Sequence, residues 1–267
     1  MNRLARALHD GHVIALRNMV LIRRVPEVLV GVLVAPVMFV LLFAYVFGGS
    51  IDTGGVDYRE FLIAGIFAQT VVFGATFTGA GLAQDVQKGI IDRFRSLPMA
   101  RSAVLVGRTA SDVVYNVLTI FIMSLTGLAV GWRIRSSMLE ALGGFLLLLV
   151  FAYGFSWVMA YVGLLVPKPE VVNNASFIVI FPATFIANTF VPSENLPGVL
   201  RTFAEWNPVS AVTQAARVAF GNVPPDMPVP DVWSLRHPVA YTLIWVALLL
   251  AVFVPLSVRQ FQRAALR

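Results

Sequence analysis

Uncharged apolar runs of helical length recur six times along the chain, at residues 28–47, 61–83, 113–130, 141–166, 171–191 and 238–258. The second holds twenty-three residues without a charge. A helix of about 20 residues rising about 1.5 Å per residue crosses the roughly 30 Å hydrocarbon layer of a bilayer. Core helices of soluble domains are usually shorter and carry charge along one face. Lipid offers no water to unpaired backbone groups, so each run is predicted as a helix. The fold class that follows is an all-α integral membrane protein with six transmembrane helices.

The polar intervals add three further elements. Residues 1–27 group Leu4, Leu8, Ala15, Met19 and Ile22 on one helical face and Arg3, Arg6, Asp10, Arg17 and Arg24 on the other. Such a pattern predicts an interfacial amphipathic helix lying on the inner leaflet, with Pro26 separating it from the first span. Between the second and third spans, Val86, Ile90, Phe94 and Leu97 recur at helical spacing among charges, up to Pro98. The longest interval, 192–237, holds an apolar stretch, 209–220, too short to cross a membrane. Asn207 and Pro208 are suited to start that helix, and Gly221 to close it. Short re-entrant or extracellular helices are expected there.

Composition agrees, with 58% hydrophobic and 13% charged residues and a mean hydropathy of +0.80. One transmembrane domain is expected over 1–267, its first span retained as an uncleaved anchor. The net charge of +6 does not read as a nucleic-acid surface, because the basic residues are scattered over loops. Fourteen Lys and Arg fall on the side of the two termini and six on the other. The positive-inside bias therefore puts both termini in the cytoplasm, as an even number of spans requires. Basic residues on that side face the anionic leaflet, so membrane lipid is an expected partner.

Candidate chemistry is sparse. The chain has no cysteine, no phosphate-binding loop, no H-E-x-x-H zinc site and no G-x-S-x-G nucleophile elbow. No catalytic residue, metal site or bound cofactor is expected. His9 and His12 stand three apart but read as surface histidines. The six drawn spans contain no Asp, Glu, Lys, Arg or His, so proton coupling has no evident machinery. Within them the neutral polar and aromatic candidates for a substrate path are Gln69, Phe73, Asn173, Asn174, Phe185 and Asn188. Gly74 with Thr78, and Ala75 with Gly79, form small-x-x-x-small pairs that let a neighbouring helix approach. The segment with Asp85, Lys88, Ile90, Asp92, Arg93, Phe94, Arg95 and Leu97 has apolar knobs and a charged rim. It suits a groove on a partner protein, or equally a surface of lipid headgroups.

The run Ile91-Asp92-Arg93-Phe94-Arg95-Ser96-Leu97-Pro98-Met99-Ala100-Arg101 resembles the cytoplasmic signature of ABC-2 type permeases, particularly the daunorubicin/doxorubicin resistance branch. A second matching stretch runs from Phe181-Pro182-Ala183-Thr184-Phe185 to Phe203-Ala204-Glu205-Trp206-Asn207-Pro208. The resemblance implies a non-enzymatic membrane subunit of an exporter in the bacterial cytoplasmic membrane. ATP and Mg would be bound by a separate ABC ATPase subunit. The segment near Lys88–Pro98 would act as a coupling helix, and a second permease chain, identical or related, would complete the pathway. The expected cargo is an amphipathic drug or lipid-like compound, exported between the first, second and fifth spans. The alternatives are a polysaccharide or glycolipid exporter, and an integral-membrane transferase, for which no catalytic carboxylate or histidine spacing is found.

Overall fold

The computed structural model describes residues 34, 36–47, 57–91, 103–166, 168–223 and 231–264, and among these residues every regular element is helical. Helix α1, Pro36–Phe47, closes with a π turn at Phe43–Phe47. Helices α2, Tyr58–Gly74, and α3, Thr76–Gln87, form one interrupted rod of 30 residues. They are followed by α4, Ala103–Ala129, α5, Met138–Leu165, and α6, Pro169–Phe185. After a 3-10 turn at Ser193–Asn195 come α7, Gly198–Trp206, α8, Pro208–Phe220, the single turn α9, Trp233–Arg236, and α10, Pro238–Ala264.

Local signals place several helix ends. The Asp57 side chain accepts from the Arg59 N–H to start α2, and Ser137 with Glu140 forms a capping box on α5. Asn207 accepts from the Val209 N–H at 2.9 Å, Pro208 opens α8, and Gly221 closes it at φ +70°. Those three residues stand where their sequence signals put them. A side chain at Gly221 would also press on the Arg135–Ser136 backbone.

By length and composition four helices can cross a membrane: Tyr58–Gln87, Val104–Ala129, Met138–Leu165 and Pro238–Arg263. One of the six expected spans differs, and another is described only in part. Only 34 and 36–47 of the first are described, and 1–27 lies outside the described residues. The fifth, drawn over 171–191, ends at Phe185 after 17 residues. Pro182 lacks an N–H and crowds the preceding turn. The helix survives it by one further turn, to the bond from Ile186 N to Pro182 O at 2.9 Å.

The expectation that the spans are free of charge is corrected as well. Helix α4 starts well before residue 113, so Arg108 and Asp112 lie inside it. Thr78 of α3 donates its hydroxyl to the buried Asp112 carboxylate, and Arg108 Nη2 donates to the Phe77 carbonyl at 2.9 Å. The pairing with α3 offsets part of the cost of placing these charges in a span helix.

Helix α5, apolar on every side, is the hub against which α10, α3, α8, α4 and α2 pack. Helices α3 and α5 cross closely, because Gly79 and Gly163 meet backbone to backbone. Gly79 belongs to one of the small-residue pairs noted in the sequence. Two apolar clusters fill the interior. The smaller one joins Leu82, Ile91, Val104, Leu105, Trp157 and Phe261 near the Gln87 end. In the larger, Trp132 packs edge-on against Phe67 and Phe220 with ring centroids 5.6 and 5.4 Å away, closing the opposite end.

Candidate functional site

Phenylalanines at four-residue spacing put Phe177, Phe181 and Phe185 on one face of α6. Their rings stack at 5.0 and 4.1 Å between centroids. The column extends to Phe73 of α2 beyond Phe177, at 6.1 Å, and to Phe190 beyond Phe185, at 4.7 Å. Phe190 stacks in turn on Phe43 of α1 at 4.5 Å, and Phe43 on Phe47 at 5.0 Å. Offset aromatic pairs at these separations add roughly 0.5–1.5 kcal/mol each beyond area burial. The result is a continuous aromatic face shared by α1, α2 and α6.

Where α6 ends, the chain turns without helical hydrogen bonds, and its carbonyls need other donors. Irregular backbone within a membrane protein persists only where protein or water satisfies it. Side chains do so here. Asn207 Nδ2 donates to the Ala183 carbonyl at 2.7 Å, and Tyr58 Oη to the Phe190 carbonyl at 3.1 Å. Arg217 Nη2 donates to the Asn188 and Thr189 carbonyls at 2.7 and 3.2 Å, while its Nε reaches the Phe61 carbonyl at 2.9 Å. The Asn188 N–H donates to Ser210 Oγ at 3.0 Å. At Gly65 the α2 backbone comes so close to Thr189 that a Cβ would collide with it.

Arg217 is the central piece of this turn. It is 1% exposed, and its guanidinium carbon lies 3.4 Å from the centroid of the Phe61 ring. Burial pushes its pKa down to about 9, which leaves it protonated at neutral pH. Among the described residues no carboxylate is in salt-bridge contact with it, and its Nη1 has no hydrogen-bond partner. Sequence reasoning counted Arg217 only as a loop charge. The signal was a lone cation within the apolar stretch 209–220.

Of the path candidates, Phe73 and Phe185 lie on the column. Gln69 is buried one turn from Phe73 on α2, and Asn188 is buried in the anchored turn with its Oδ1 unpaired. Asn173 lies one turn before Phe177 on the same four-residue row of α6, and Asn174 lies on the adjoining exposed row with Ile178. Among the coupling candidates, Asp85 is half-buried on α3, Lys88 is exposed and Ile90 half-buried. The helical pattern drawn from Val86 to Leu97 is not one helix. Lys88 caps α3, and Gly89 turns the chain at φ +64°, so Val86 and Ile90 belong to different turns. Ile91 returns to pack in the Leu82 cluster. Asp92, Arg93, Phe94, Arg95 and Leu97 lie outside the described residues.

Replacing Asn207 by Ala removes both the α8 cap and the donor to the Ala183 carbonyl. A lost cap costs about 0.5–2 kcal/mol and an orphaned buried acceptor about 1–3 kcal/mol. A lowered thermal midpoint of the detergent-purified chain is the expected outcome. An unchanged midpoint would show that the turn does not depend on this side chain.

Residues 11–220 match the ABC-2 type transporter family. The chain belongs to that family. This ABC-2 permease is 32% identical over 246 residues to the daunorubicin resistance ABC transporter permease protein DrrB1 of Streptomyces coeruleorubidus. The match covers 92% of this chain and 83% of that protein. The permease is also 24% identical over 189 residues to the probable doxorubicin resistance ABC transporter permease protein DrrC of Mycobacterium tuberculosis, covering 70% of this chain and 68% of the relative. Family and apolar helices together make it a multi-pass membrane transport protein of a drug-resistance exporter family.

Proposed function

We propose that this permease is the membrane-spanning subunit of an ATP-driven exporter for an amphipathic, aromatic or lipid-like compound. ATP and Mg are bound and hydrolysed on a separate ATPase chain. A second permease, identical or related, completes the pathway. In this reading residues 1–267 form one six-span domain in the bacterial cytoplasmic membrane. Both termini and the Gln87 end face the cytoplasm, and the anchored turn faces outward. The segment from Asp85 to Leu97 receives the ATPase, with Lys88, Asp92, Arg93 and Arg95 at the rim and Ile90, Phe94 and Leu97 as knobs.

The observation that carries the cargo assignment is the phenylalanine column from Phe73 to Phe47. Such a face offers ring stacking and apolar contact with no fixed charge, which suits planar or amphipathic molecules. Asn173 and Asn174 support the second chain, since two exposed amides on an apolar helix are costly against hydrocarbon and fit a wet or protein-covered seam.

Purification in mild detergent is expected to recover the permease with an ATPase subunit. Reconstituted together, the two move a fluorescent anthracycline across proteoliposome membranes only when ATP is supplied. Transport by the permease alone, or driven by a proton gradient without ATP, would overturn the assignment.

A further inference from the structure

We propose that Arg217 is a positioning residue that holds the Phe185–Phe190 end of the aromatic column shut, and that it changes hydrogen-bond partners when cargo leaves. The inference rests on the path reading above and adds to it the element that closes the path.

Three observations converge on this residue. First, Arg217 joins three parts of the molecule that an opening motion must separate: α8, which carries it, the first turns of α2 at Phe61, and the turn after α6 at Asn188 and Thr189. Phe185 and Phe190 flank that turn, so its position sets the spacing of the last rings in the column. Second, the buried guanidinium hydrogen-bonds only to neutral backbone carbonyls, and the Glu194 carboxylate acts on it without an ion-pair contact. A permanent rivet between three helices needs no charge, and an apolar side chain of the same volume would serve it without the cost of desolvating an ion. A cation retained there fits a contact that is made and released.

Third, the alternative partners are already in place. Nη2 is shared between two carbonyls at 2.7 and 3.2 Å, and Nη1 is unused. Asn188 Oδ1 and Thr189 Oγ1, on the same two residues whose carbonyls Arg217 holds, are buried without partners. If the turn shifts against α8, the fork can pass from backbone oxygens to side-chain oxygens and exchange hydrogen bonds instead of losing them. Two packed arrangements with similar numbers of bonds make an element bistable, and cargo or ATPase state can then bias it.

The absence of cysteine gives a clean reporter. A single Phe181→Cys substitution places a thiol on the column, inside the proposed closure. Its reaction with a membrane-impermeant maleimide added from the outer side is measured in vesicles holding the permease with its ATPase, without ATP. With Arg217 intact, labelling is slow. With Arg217→Gln it is expected to be faster by about tenfold, the scale on which one lost charge-assisted bond moves an opening equilibrium. Arg217→Lys, which keeps the charge and donors but not the fork, is expected to restore most of the protection. Equal labelling in all three backgrounds would overturn the proposal, as would equal labelling in Gln and Lys variants that both exceed the native rate.

Should Arg217→Gln not be recovered from the membrane, Tyr58→Phe carries the test. It removes only the hydroxyl that holds the Phe190 carbonyl. A rise of about threefold, a weaker effect for a neutral bond, supports the closure, and a native rate overturns it. Failure of the path reading has its own signature: an anthracycline that does not slow labelling at position 181 in any background, whatever the Arg217 variants do.

Discussion

Replacing Gly163 by Leu is expected to abolish recovery of folded permease, while the same change at Gly143, on the same helix, leaves the yield near native. A Cβ at Gly163 would overlap the Gly79 carbonyl, whereas at Gly143 nothing lies within 4 Å. The obstruction is backbone, so no rotamer change relieves it. Helix α3 cannot retreat either. A Cβ on Gly79 would already stand 2.8 Å from the Met159 carbonyl and 3.0 Å from Val172 Cγ1, because α3 is pressed between α5 and α6. Overpacking by a methylene costs about 1–3 kcal/mol, and an isobutyl group driven into a backbone crossing costs several times that. Native membrane proteins have little margin against such a loss. The measurement is the monodisperse fraction in size-exclusion chromatography of the two variants. Equal behaviour of Gly163→Leu and Gly143→Leu would remove the crossing from the account of the fold.

A carboxylate in place of Phe94 is expected to leave membrane insertion intact and to disconnect ATP hydrolysis from export. Phe94 is the central apolar position of the segment that resembles the family's coupling signature, flanked by Arg93 and Arg95. The described chain leads into it through the Gly89 turn and the buried Ile91. In the proposed coupling role, force on this segment would reach the bundle at Ile91, which packs with Leu82 of α3, Leu105 of α4 and Trp157 of α5. An aromatic anchor lost from the centre of an interface costs about 2–4 kcal/mol, and a buried unpaired charge adds to that. The readout is anthracycline transported per ATP hydrolysed in co-reconstituted vesicles, with the membrane-inserted amount as control. Phe94→Asp is expected to lower that ratio at least tenfold, the equivalent of about 1.4 kcal/mol. Export at the native rate would remove the coupling role.

Much of the architecture was legible because lipid imposes so strict a demand on composition. Runs such as 141–166 have no alternative to a helix, and α5 follows that run closely. The caps at Asn207, Pro208 and Gly221 were legible for a different reason, since each acts through its own local geometry. What escaped depends on neighbours. Pro182 was in plain view, yet whether a helix survives a proline depends on who satisfies the carbonyls beyond it. Here those donors are Asn207, Tyr58 and Arg217, remote in sequence from the turn they serve. Asp112 stood one residue outside a drawn span, and only its pairing with Thr78 shows why the helix can include it. In the site, the four-residue spacing of Phe177, Phe181 and Phe185 could be read from one helix, but their continuation through Phe190 to Phe43 is tertiary. Gly89 divided the coupling pattern because a left-handed turn overrides apolar spacing.

Helix α10 turns most of its length away from the protein, with Val239, Leu243, Ile244, Leu248 and Val252 all outward. Residues there touch no side chain of their own chain closely enough to be buried, and if that face meets hydrocarbon, as proposed for a span, one aliphatic group replaces another at little cost. A stave of this kind gives the permease freedom to drift with the thickness and fluidity of its host's membrane. The aromatic column borne by α1, α2 and α6 need not be rebuilt each time the lipids change.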